Sequence, residues 1–138
     1  MARTRVLFVC THNSARSQMA EGLLRAGYGD AVEALSAGTH PSSVNPLAIE
    51  ALAELDIDIS EQRSQSVDEF ADLDLNTVVT VCDQAREICP MPPRARRMIH
   101  RSFEDPAAAT GSPAERFAAF RRIRDEIRAW IETEEWKS

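Results

Sequence analysis

Val6-Leu7-Phe8-Val9 is a continuous apolar run near the start of the chain, and it leads directly into Cys10-Thr11-His12-Asn13-Ser14-Ala15-Arg16-Ser17. An apolar run of this length, without alternation, predicts a strand buried on both faces, the kind found in parallel sheets. Immediately after it, Met19, Ala20, Leu23 and Leu24 recur at helical spacing, with Gly27 and Gly29 near the end of the pattern. The opening unit is therefore strand, loop, helix, and Cys10 stands at the carboxyl end of the strand, where open parallel sheets bind their ligands. Cys10 and Arg16 bracket five residues. A loop of that size can wrap a tetrahedral oxyanion with its backbone N–H groups, while the helix N-terminus adds positive potential. Arg16 can grip two oxygens at once, the same dipoles favour a thiolate at Cys10, and Ser17 can donate a hydroxyl hydrogen bond to the sulfur. Taken alone, a Cys-x5-Arg spacing arises readily by chance, with Cys10 a small core residue and Arg16 a surface charge. Its position after a buried strand gives it weight.

The rest of the chain continues the alternation. Val32 to Ala37 reads as a second strand closed by Gly38, and Asn45-Pro46 as an N-cap followed by proline in the first helical turn. Leu47, Ala48, Ala51, Leu52 and Leu55 keep helical spacing after it, and a short helix is expected over Val67 to Leu73. Thr77 to Val81 is β-rich and ends at Cys82, and a fourth strand is expected within Arg97 to Phe103, around Met98 and Ile99. Ser112-Pro113-Ala114-Glu115 is a capping box opening a long helix. Its inner face is Phe117, Phe120, Ile123, Ile127, Trp130 and Ile131. Arg121 with Asp125, Arg122 with Glu126 and Arg128 with Glu132 are spaced to pair on its outer face. Without repeats or linkers, residues 1–138 read as a single α/β domain with a mainly parallel sheet.

A net charge of −6 argues against a nucleic-acid partner, and no stretch approaches the length of a membrane-spanning helix or forms a signal peptide. A cytoplasmic, monomeric protein is expected, in a compartment where structural disulfides are rare. Three cysteines cannot all pair with one another, so Cys10, Cys82 and Cys89 are either core residues or chemically employed. Cys82 can be a buried strand-end residue and Cys89 a loop residue. Their separation matches no common zinc spacing, and no bound metal is expected.

Val9 to Ser17 resembles the phosphate loop of the low-molecular-weight tyrosine phosphatases and of the arsenate reductases that share their fold. The continuation Gln18-Met19-Ala20-Glu21-Gly22 is similar to the reductase branch, where phosphatases usually carry proline at the position of Gln18. The similarity extends through Ser36-Ala37-Gly38, Val44-Asn45-Pro46, Ile57-Asp58-Ile59-Ser60, Val79-Thr80-Val81-Cys82, Cys89-Pro90 and Asp105-Pro106, and so over nearly the whole chain. It implies a four-stranded parallel sheet with helices on both faces, a flavodoxin-like three-layer sandwich. His12 stands where many relatives have glycine, so a positive φ there would strain it. Gln65 replaces an acidic residue that helps some relatives bind potassium beside Asn13, Glu21 and Ser36.

The resemblance further implies a reaction. Arsenate would be held by Thr11, His12, Asn13, Ser14, Ala15, Arg16 and Ser17 and attacked by Cys10, while Asp105 protonates the departing oxygen. Cys82 and then Cys89 would carry the oxidation away as a Cys82–Cys89 disulfide, reduced in turn by thioredoxin with no bound cofactor. Related enzymes use low-molecular-weight thiols with a glutaredoxin-type partner instead. A phosphatase would need only Cys10, Arg16 and Asp105. Phosphatases tend to place aromatic residues after the proline, where this chain has Ala107-Ala108-Ala109. If residues 82–89 were helical, their ends would lie about 10 Å apart. A disulfide spans only about 4.4 to 6.8 Å between Cα atoms, so such a helix would have to unwind.

Overall fold

The computed structural model describes residues 3–82 and 95–136. In it the opening apolar run lies within strand β1 (Thr4–Cys10), whose Val6 to Val9 are completely shielded from solvent. Strand β2 (Val32–Gly38) pairs along one edge of β1 and β3 (Leu75–Thr80) along the other, with β4 (Ala95–His100) outside β3. All three pairings are parallel, so the sheet order is β2-β1-β3-β4. Parallel neighbours require crossovers. Helices α1 (Arg16–Tyr28) and α2 (Pro46–Ala53) lie in the crossovers, and α3 (Pro113–Thr133) follows the last strand.

Because successive side chains on a strand point to opposite faces, β1 feeds two cores. Val6, Phe8 and Cys10 join Met19, Leu24, Leu52, Phe120, Ile123 and Ile127 from the three helices. Leu7 and Val9 join Ala37, Val78 and Phe70 on the other face, where Phe70 comes from a short 3-10 helix, Val67–Phe70. Helical cover on the two faces is thus unequal. Beyond α3, Trp136 folds back into the larger core, where its ring meets Phe8 edge-on at 6.1 Å and Trp130 at 5.6 Å. Its Nε1 donates to the Ile131 carbonyl at 2.9 Å.

Local chemistry explains the element ends. Asn45 Oδ1 accepts from Leu47 N, with Pro46 in the first turn of α2. Ser112 and Glu115 form the reciprocal capping box of α3. Four sequence expectations need correcting. The expected helix over Val67 to Leu73 is a single 3-10 turn. β3 runs from Leu75 to Thr80, although Val81 N still donates to Val9 O at 2.9 Å and carries the ladder one residue further. β4 begins at Ala95 and ends at His100, before Phe103. Arg121 does not pair with Asp125: it reaches across to Glu54 at 2.6 Å, because α2 ends beside α3, while Asp125 meets Arg124 at 2.9 Å. The pairs Arg122–Glu126 and Arg128–Glu132 form as expected. Among the described residues, no helix is long and apolar enough to cross a membrane.

Candidate active site

The loop between β1 and α1 is built from its neighbours inward. β2 ends at Gly38 beside it, so closely that an added Cβ would lie 2.6 Å from Thr11 O and 2.9 Å from Asn13 N. Only glycine allows that approach. The bond from His40 N to Thr11 O and that from Asn45 N to Ser14 O then hold the loop's outer rim. Asn13 carries the left-handed turn, at φ 49°, a conformation asparagine tolerates better than most residues. Strain therefore does not fall on His12, which is exposed, with its Nδ1 3.2 Å from His40 O.

Asn13 also reaches the neighbour of the sulfur. Its Oδ1 accepts from Gln65 N at 2.8 Å, which turns its amide Nδ2 toward Ser17 Oγ, also at 2.8 Å. Ser17 Oγ in turn lies 2.8 Å from Cys10 Sγ, a hydrogen bond in which either group can donate. Cys10 is a free thiol and almost fully buried.

α1 begins at Arg16, and Ala15 at its N-cap offers no side-chain acceptor to the first N–H groups. The Arg16 side chain is itself buried and donates to Phe103 O at 3.2 Å, with its other terminal nitrogen 3.8 Å from Asp105 Oδ2. Phe103 N bonds Val81 O and Arg101 N bonds Thr80 O, so the chain after β4 climbs the end of β3 and delivers Asp105 to the loop. Asp105 Oδ1 accepts from Ala107 N, capping the 3-10 turn Pro106–Ala108, and its side chain is 39% exposed. Pro106 follows it, and then Ala107, Ala108 and Ala109.

Cys82 is fully buried at the end of the segment that continues β3, and it is disulfide-bonded. The β1–β3 register, Val9 against Thr80, brings the ends carrying Cys10 and Cys82 side by side. Cys89, and with it the question of a helix over residues 82–89, lies outside the described residues. Glu21 and Ser36 come together at 2.6 Å, but Arg25 also binds Glu21 there. No group of three or more His, Cys, Asp or Glu is placed to hold a metal among the described residues.

One set of residues was missed in the sequence. Gln18, Gln62, Arg63 and Ser64 brace the loop from behind: Gln18 Nε2 donates to Asn13 O and Arg63 O, and Ser64 Oγ donates to His12 O. Their contacts join distant parts of the chain, which no local pattern reveals.

The parallel sheet thus carries a buried free thiol, Cys10, at the carboxyl end of its first strand, directly before the loop that leads into α1. The chain belongs to the low-molecular-weight phosphotyrosine protein phosphatase family, whose model matches residues 5–133. Within the wider group, an arsenate reductase of Halalkalibacterium halodurans is 44% identical over 128 residues, covering 93% of this chain and 92% of the relative. The solved structure of an arsenate reductase in the reduced state is similar with a TM-score of 0.76 and 30% identity over 94% of both chains. A thioredoxin-dependent arsenate reductase of Corynebacterium glutamicum is similar with a TM-score of 0.59 and 27% identity, covering 96% of this chain and 64% of that one.

Proposed function

We propose that this chain reduces arsenate to arsenite in the cytoplasm, using Cys10, Cys82 and Cys89 in turn and thioredoxin as reductant. Cys10 Sγ attacks arsenic, forming an S–As bond, while Asp105 gives its proton to the departing hydroxyl, which leaves as water. The Cys82 thiolate then attacks Cys10 Sγ. An S–S bond forms, the S–As bond breaks, and its electron pair stays on arsenic, so As(V) leaves as As(III). Cys89 attacks Cys82, freeing Cys10, and a thioredoxin dithiol reduces the resulting disulfide.

The observation that carries this reading is the pair of cysteines at adjacent carboxyl strand ends, one in the oxyanion loop and free, the other disulfide-bonded. That is the thiol distribution the third step leaves behind. The alanines beyond Asp105 suit a small inorganic oxyanion, which needs no aromatic wall. The names of the relatives point the same way.

The test is arsenate-dependent NADPH oxidation with thioredoxin and thioredoxin reductase, comparing wild type with Cys89→Ser. Wild type should turn over many times. Cys89→Ser should release one arsenite per molecule and stall as a Cys10–Cys82 disulfide. Sustained turnover by that variant would leave a two-cysteine enzyme, and no arsenate dependence in wild type would remove the reductase reading.

A further inference from the structure

Asn13 adopts the left-handed conformation, and the carbonyls of Thr11, His12, Asn13 and Ser14 all accept hydrogen bonds from protein outside the loop; a turn of this kind can present successive N–H groups to an anion on its other side. Asn13 is completely buried, so its carbonyl cannot be served by bulk water and needs a protein donor. Gln18 supplies it. This residue sits in the first turn of α1, is itself completely buried, and uses every hydrogen-bonding atom of its side chain. Nε2 donates one hydrogen to Asn13 O at 3.0 Å and the other to Arg63 O at 2.9 Å. Oε1 accepts from Gln62 Nε2 at 2.8 Å, and Gln62 Nε2 lies 3.1 Å from the Gln18 carbonyl as well.

The segment that Gln18 reaches also holds the loop directly. Gln65 N donates to Asn13 Oδ1 and Ser64 Oγ to His12 O, while Gly38 N donates to Gln65 O and so ties the same segment to β2. Carbonyls 12 and 13 are thus both fastened from behind. A peptide plane whose C=O is pinned outward has the following N–H pinned inward. Asn13 O fixes the N–H of Ser14, and His12 O that of Asn13.

We infer that Gln18 is a positioning residue for oxyanion binding: by joining Asn13 O to Arg63 O it holds the loop's N–H groups in their anion-receiving orientation before substrate arrives. It touches neither substrate nor sulfur. Pre-orientation matters because donors that need no rearrangement contribute their full strength to a bound oxyanion. The inference rests on the reading of residues 10–17 as an oxyanion loop, and uses no step of the thiol relay.

Gln18→Met keeps length and volume and removes both donors. Gln18→Glu keeps shape but offers only acceptors to two carbonyls. The measurements are inorganic phosphate affinity by calorimetry and the pH profile of Cys10 alkylation by iodoacetamide, both on Cys82→Ser/Cys89→Ser protein, so that only Cys10 reacts. Phosphate affinity should fall about ten-fold or more in Gln18→Met, the order expected when a buried carbonyl loses its donor, and further in Gln18→Glu. The alkylation profile should move to higher pH in both, because a relaxed loop solvates the thiolate less well. Circular dichroism and thermal melting identify the folded fraction. Folded Gln18→Met with wild-type phosphate affinity and an unmoved alkylation profile would overturn the inference, leaving Gln18 a packing residue. Absence of phosphate binding by the parent would overturn the oxyanion loop itself. If Gln18→Met proves unfolded, Gln62→Met, which removes the donor to Gln18 Oε1 from outside the helix, should weaken phosphate in the same direction by a smaller factor; an unchanged affinity there would count against the inference equally.

Discussion

Helix α1 is fastened at its N-terminus and helices α2 and α3 are fastened to each other, and the two fastenings use opposite chemistry. Around the Cys10 loop the ties are mostly neutral: Asn13, Gln18, Gln62, Ser17 and Ser64, with backbone groups of Gln65 and Arg63, all at 2.8–3.0 Å. At the α2–α3 seam they are charged: Arg121 and Arg124 converge on Glu54, and Arg124 also donates to Ala51 O at the end of α2. Hydrogen bonding to Arg121, then to Arg124, holds the Glu54 carboxyl at about 2 against an ordinary 4.5. Neutral side chains hold geometry without adding net charge, and the ion pair at the loop is that of Arg16 with Asp105, 3.8 Å apart. The charged ties of the seam vary in strength with pH and salt, and the neutral ties of the loop do not.

The largest effect should come from striking the loop at its centre. Cys10→Ser should abolish both arsenate reduction and any hydrolysis of aryl phosphates, since a serine hydroxyl is a far weaker nucleophile than a thiol and cannot enter a disulfide. Both assays read it, and residual wild-type reduction would remove Cys10 from the reaction. Asp105→Asn should come next. It keeps the cap on Ala107 N but carries no acidic proton, so turnover should fall by about 10²–10⁴ while phosphate binding survives. Steady-state rates and calorimetry together separate the two effects, and an unchanged rate would reduce Asp105-Pro106 to a turn.

The smallest effect belongs to the seam. A carboxyl whose folded pKa lies below its unfolded value adds stability above about pH 4.5 and loses it as pH falls toward 2. Glu54→Gln should therefore lower Tm modestly at pH 7, and the difference from wild type should shrink between pH 4.5 and 2. Arsenate turnover at neutral pH should not change. A Tm difference that stays constant across that window would show that the ion pairs are not its source.

The same contrast separates what was legible in the sequence from what was not. The opening strand and helix, Asn45-Pro46 and the Ser112–Glu115 box are written in adjacent residues, because burial period and capping are local. The Cys10–Arg16 loop was legible for the same reason. The edges of β3 and β4 were not, since pairing with a neighbour sets them: Leu75 joins its strand by lying opposite Ala95. Helical spacing pairs Arg121 with Asp125, whereas the fold offers it Glu54. Arg124, buried inside the helix seam, looks like one more surface charge in the string, and Gln18 looks like an ordinary helix residue. In each case the deciding partner is far away along the chain.

Trp136 carries a consequence for how the chain folds. Its ring meets the edge of Phe8 in β1, although three further strands and helices α1, α2 and α3 lie between the two residues along the chain. That contact forms only after the segment beyond α3 has docked on a strand from the opposite end of this order of elements. Contacts that span so much of the chain are slow to close.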